Sequence, residues 1–111
     1  MVRIKINYEW WEAVFEIDRS DKTIETMKDQ ILFWMSGEDR IEKEGGDIEK
    51  AYLKMVSQEM IDETMRFNLK GILSYFEDAE GYAPLNGEYG VKLISVDNWK
   101  FDEDDFFIEA A

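Results

Sequence analysis

Over the first seventeen residues, apolar side chains fall at every second position; from Ser20 onward they fall at every third or fourth. This change of period constrains the fold most. A period of two gives a strand one buried face, and a period near 3.6 gives a helix one buried stripe. Val2, Ile4, Ile6 and Tyr8 alternate with Arg3, Lys5 and Asn7, and Trp11, Ala13, Phe15 and Ile17 then alternate with Glu12 and Glu16. The pattern predicts a hairpin turning near Tyr8 to Trp10. Its pairing sets bases of the first strand against acids of the second, each opposite-charge pair worth roughly 0.2 to 1 kcal/mol.

Ile24, Met27, Ile31 and Trp34 line one side of a first helix, with Ser20 or Asp21 able to cap its start. Ser36 to Asp39 breaks or restarts that helix, since Gly37 suits a chain reversal and Ser36 can cap a short turn through Glu44. After Gly45 and Gly46, Asp47 caps a second long helix. Ile48, Tyr52, Met55, Met60, Glu63 and Phe67 trace one side of it, and Leu53, Val56, Ile61, Met65 and Leu69 widen the apolar arc. So broad an arc requires burial on more than one side: either the helix is central, or its outer face packs on a second copy or a partner.

Gly71 to Phe76 fits a last helical turn or a short strand, and Glu77 to Gly90, with three glycines and the only proline, reads as a long loop. Val91 to Val96 supplies a third strand and Phe106 to Glu109 a fourth. The order β-β-α-α-β-β predicts an α+β fold: an antiparallel sheet of about four strands with helices packed on one face, in a single domain over residues 1–111.

Composition removes most chemistry. With no cysteine and no histidine in 111 residues, disulfides, thiolate zinc sites, Ser-His-Asp triads and Cys-His pairs are excluded, and only carboxylate, Lys or Tyr chemistry remains. Gly45-Gly46 is not followed by the Lys-Ser or Lys-Thr of a phosphate loop, and Gly81, Gly87 and Gly90 do not form a dinucleotide fingerprint. No cofactor is expected. The N-terminus has no apolar run like a signal peptide and no stretch approaches the roughly 18 apolar residues of a membrane span, so a cytoplasmic protein making no membrane contact is expected.

The chain carries 26 acidic against 13 basic residues, a net charge of −13, although 45% of it is hydrophobic. Such a balance repels phosphates and favours basic partners. Thirteen charges match the phosphates along roughly 22 Å of duplex DNA. Gathered on one side of a body about 34 Å across, they would approach nucleic acid in charge density and let the protein occupy a cationic groove meant for DNA.

Trp10 and Trp11 are adjacent on a strand, so they point to opposite faces and only one enters the core. Trp10, flanked by Glu9 and Glu12, is a candidate aromatic anchor for a basic protein surface. Asp97 with Asp102, Glu103, Asp104 and Asp105 forms the densest acidic cluster. It lacks EF-hand spacing, with Trp99 at the third position and Asp102 where the turn glycine belongs, so it reads as a solvated acidic connection that joins the same contact surface, and no metal is expected. Carboxylate pairs suited to glycoside hydrolysis arise by chance among 26 acids and point to no enzyme.

Across Phe33-Trp34, Ser36-Gly37-Glu38-Asp39-Arg40, Gly46-Asp47-Ile48, Pro84-Leu85-Asn86-Gly87, Gly90 and Phe101-Asp102-Glu103-Asp104-Asp105, the chain resembles a family of small acidic bacterial proteins of unknown function from phages and mobile elements. The resemblance implies a context and no reaction. In that setting the expectation is a non-enzymatic inhibitor of a basic, nucleic-acid-handling complex, of anti-CRISPR or anti-restriction type, that mimics DNA and contacts no nucleic acid directly. The alternative is an accessory domain that forms a homodimer through its broad apolar helix.

Overall fold

In the computed structural model, which describes residues 1–9, 11–64 and 68–97, the elements follow one another as β1 (Val2–Tyr8), β2 (Trp11–Ile17), α1 (Asp21–Phe33), α2 (Gly37–Lys43), α3 (Ile48–Thr64), α4 (Leu69–Asp78) and β3 (Val91–Val96). The class is α+β. Among the described residues the sheet has three antiparallel strands in the order β1-β2-β3, where about four were expected. The expected fourth strand, Phe106 to Glu109, lies outside the described residues.

β1 and β2 pair in continuous register from Val2 opposite Ile17 to Tyr8 opposite Trp11. This register follows from the alternation, because a one-residue slip would turn every apolar side chain to water. Trp11, Ala13, Phe15 and Ile17 of the central strand are wholly buried while Glu12, Val14 and Glu16 between them are only partly so, which places the helices on one side of the sheet. Val91 and Leu93 extend the buried face opposite Ile17 and Phe15. A bulge follows: Phe15 faces Leu93 but Val14 faces Ser95, so Ile94 is an extra residue.

Ser20 caps α1, its hydroxyl accepting the Thr23 N–H at 3.2 Å. Ser36 occupies the cap position of α2 without a side-chain bond, and the Asp47 carboxylate accepts the Lys50 N–H at 3.0 Å at the start of α3. α3 is the central helix. Ala51, Tyr52, Leu53, Met55, Val56 and Met60 are all buried, and the helix packs against α1, α2 and α4. These residues of the broad apolar arc are used inside the chain, each large side chain contributing about 1.5–3 kcal/mol by burial, while Met65 and Phe67, expected on the same arc, lie outside the described residues. The single long helix expected from Asp47 to Leu69 is instead two: α3 ends by Thr64, and Asn68 caps α4 by accepting the Gly71 N–H at 2.9 Å. Gly71 to Phe76 is helical, with Ile72 and Phe76 in the core.

Residues 79–90 return the chain to β3. Leu85 is wholly buried and its carbonyl accepts the Leu93 N–H at 3.0 Å, while the Gly87 N–H donates to the Val91 carbonyl at 2.9 Å. A buried anchor and two backbone bonds thus fix the second half of the expected long loop.

Candidate interaction surface

The expected contact residues divide. Glu9 sits exposed at the hairpin turn, Glu12 lies on the open face of β2, and the Asp97 N–H donates to the Glu12 carbonyl at 2.8 Å, so these three share the hairpin end of the sheet. Trp10, Asp102, Glu103, Asp104 and Asp105 lie outside the described residues. Trp11 is the tryptophan that enters the core, 2% exposed.

The open face of the sheet as a whole is not uniformly acidic. On the open face Arg3 Nε lies 3.3 Å from Glu16 Oε2, Lys5 Nζ lies 3.8 Å from Glu12 Oε1, and Lys92 stands opposite Glu16. Both acids of the central strand are flanked by bases of its neighbours. The expected cross-strand pairing is present, and its consequence is a face whose charge is balanced.

The opposite character appears where α1 ends. Leu32, Phe33, Trp34 and Met35 are consecutive and all exposed, Phe33 at 53%, Trp34 at 37% and Met35 fully, and Tyr89 lies with Phe33 along one depression of about 370 Å³. Trp34, expected on the buried stripe of α1, is the C-cap of that helix, its N–H donating to the Ile31 carbonyl at 3.3 Å. The missed signal was the run itself: successive residues on a helix turn by about 100°, so four in a row cannot share one buried side.

Three devices hold this surface in place. Gln30 is buried; its Nε2 donates to the Thr26 carbonyl at 3.2 Å and its Oε1 accepts the Ala83 N–H at 2.8 Å, tying residues 79–90 to α1. Gly81, at φ 83°, passes so close to Phe33 and Trp34 that a Cβ would sit 2.6 Å from each ring. That approach brings Tyr82 to 5.6 Å from Trp34 and 5.3 Å from Phe76, centroid to centroid. Phe33 meets Trp34 edge-on at 4.9 Å, a geometry that favours both rings.

Carboxylates rim these rings. The three depressions around Phe33, Trp34 and Tyr82 are lined by Asp29, Glu38, Asp39, Glu59 and Asp62, and by a single base, Arg40. Residues 29–39, 55–62 and 79–90, which build most of the surface, contain no Lys or Arg, and Arg40 follows directly after the first of them. The Tyr82 hydroxyl is pushed up to about 12 by burial first and then by Glu59, against the opposing pull of Arg40. Glu59 Oε2 in turn accepts the Tyr75 hydroxyl at 2.6 Å.

A second groove runs between β1 and α3, about 470 Å³, walled by Ile6, Tyr8, Trp11 and Ile61. Ser57 Oγ is buried on its α3 side with no partner among the described residues. One acid, Asp62, and one base, Lys54, line it, so it lacks the charge bias of the aromatic surface. Among the described residues no group of three carboxylates could hold a metal ion, and no helix is long and apolar enough to cross a membrane.

Comparison with known proteins gives a family and no reaction. Residues 13–108 match the family described as protein of unknown function DUF2528. The chain is 30% identical to protein ea10 of Escherichia phage lambda over 115 aligned positions, covering 96% of this chain and 93% of that protein. The lambda prophage-derived protein ea10 of Escherichia coli O6:H1 strain CFT073 is similar to the same extent. No solved structure matches.

Proposed function

Because this chain belongs to the DUF2528 family of proteins of unknown function, whose relatives here are phage and prophage proteins, we propose that it is a non-enzymatic inhibitor. It acts in the cytoplasm, binding a basic surface of a nucleic-acid-handling complex of restriction or CRISPR type and keeping nucleic acid out. One observation carries the reading: an exposed apolar patch, the rings of Phe33 and Trp34 with Met35, rimmed by five carboxylates and one base. Exposed rings supply desolvated anchors, and the acidic rim supplies steering and discrimination against acidic surfaces. DNA-like charge density is needed only on that flank, since the open sheet face is balanced.

The end of α1 adds contact residues to those expected at the hairpin end, of which Trp10, Asp102, Glu103, Asp104 and Asp105 lie outside the described residues. A homodimer through α3 is not favoured, because Tyr52, Leu53, Met55, Val56 and Met60 of the apolar arc that would form it are buried in the core. The test is binding to purified restriction and CRISPR effector complexes at rising ionic strength. Affinity is expected to fall steeply with salt, since exposed charges are screened beyond about 8 Å at physiological ionic strength, and Phe33→Ser with Met35→Ser is expected to weaken binding at every salt concentration. Binding indifferent to salt, or unaffected by the double substitution, overturns the reading.

A further inference from the structure

We infer that the cleft between Trp34, Tyr82 and the carboxylates of Glu59 and Asp62 is a socket for an arginine side chain of the partner. The inference rests on the proposed function and adds the chemistry of the contact. The cleft encloses about 210 Å³. One wall is aromatic: the Trp34 and Tyr82 rings, tilted by 43° at 5.6 Å, with Trp34 still 37% exposed. The other wall is acidic, because Glu59 and Asp62 are three residues apart on α3 and so lie on the same side of the helix. Met55, buried in the core, also lines it.

A guanidinium satisfies both walls together. Its plane stacks on an aromatic face while its N–H fork reaches carboxylates, whereas an ammonium is a compact, strongly hydrated point charge that does the first poorly. The charge at the cleft suits a cation. Among the described residues Arg40 is the only base lining it and makes no ion pair with Glu59 or Asp62, while Lys54, one turn before Gln58 on α3, is already bound to Glu44 at 2.9 Å. The Tyr75 hydroxyl on Glu59 Oε2 orients that carboxylate. Arginine-rich surfaces are also what nucleic-acid-handling complexes present, through phosphate recognition.

The experiment titrates the full-length chain with a short peptide alternating glycine and arginine, and with its lysine counterpart. Two-dimensional amide and indole NMR follows the result. The arginine peptide is expected to move the Trp34 indole N–H and the amides around Glu59 to Asp62, and to bind several-fold more tightly than the lysine peptide. Asp62→Asn, at an exposed position, is expected to weaken it about tenfold, roughly one good charged contact, while Asp21→Asn at the far end of α1 changes it less than twofold. Equal binding of both peptides, or equal loss from both substitutions, overturns the socket and leaves a diffuse acidic surface that still serves the proposed function. A complex that is bound while the arginine peptide leaves Trp34 unmoved overturns the socket alone. If neither complex nor peptide binds, both readings fall.

Discussion

Glu9 is held at φ 53°, the only non-glycine among the described residues in the left-handed region. It sits where a tight hairpin between Tyr8 and Trp11 demands that conformation, which glycine adopts freely and a residue with a Cβ adopts at a cost of about 1–2 kcal/mol. Glu9→Gly is therefore expected to stabilise the fold by about 1 kcal/mol, read as a rise in thermal midpoint. A lower midpoint would mean that the Glu9 side chain contributes more than its backbone loses. Gly81 is the converse case. It combines a left-handed φ with a backbone pressed against two rings, so the conformation and the close approach each require glycine. The sequence marked Gly81 only as a turn former, because nothing in its neighbours reveals that Phe33 and Trp34, almost fifty positions away, lie against it. Trp34 itself was misread for a related reason: a stripe at helical spacing predicts burial, but the helix ends one residue earlier.

At the scale of elements, α1 does two jobs with one side. Met27 and Ile31 fill the core, and Gln30 beside them carries residues 79–90 through the Ala83 N–H. Burial suppresses the acidity of the Tyr52 hydroxyl, an effect that Gln30 partly offsets. Gln30→Leu would leave the part-buried Ala83 N–H without its partner, a loss of about 1 kcal/mol. The expected outcome is that loss in chemical denaturation, together with faster amide exchange at Ala83 before the rest of the fold opens. The helices illustrate how boundaries differ in legibility. Ser20 and Asp47 were readable as caps because a polar residue precedes an apolar period. Asn68 was hidden, since the apolar pattern runs on from α3 into α4 and only the tertiary path breaks it.

Across the whole molecule, charge is distributed unevenly. Among the described residues, the open sheet face carries Arg3, Lys5 and Lys92 among its acids, whereas five carboxylates and a single base, Arg40, rim the end of α1. The core sets the alkaline limit. Burial raises the Tyr52 hydroxyl, and burial followed by Glu59 raises that of Tyr82 to about 12, against about 10 for a tyrosine in the unfolded chain. From about pH 10 to pH 12 the unfolded chain has released protons that the folded chain keeps, so stability is intact below that window and falls as pH rises through it. Phenolate absorbance from Tyr52 and Tyr82 is expected to appear together with loss of helical circular dichroism. If all five tyrosines ionise near pH 10 with the helices intact, the burial argument fails. The hairpin, its register and the α+β class were determined by sequence alone, because they follow from the period of the apolar residues and that period is local. Which carboxylates stand without a base, and which aromatic residues stay in water, was decided by tertiary structure. Both depend on the meeting of segments 29–39, 55–62 and 79–90, whose positions in the chain say nothing about their separation in space.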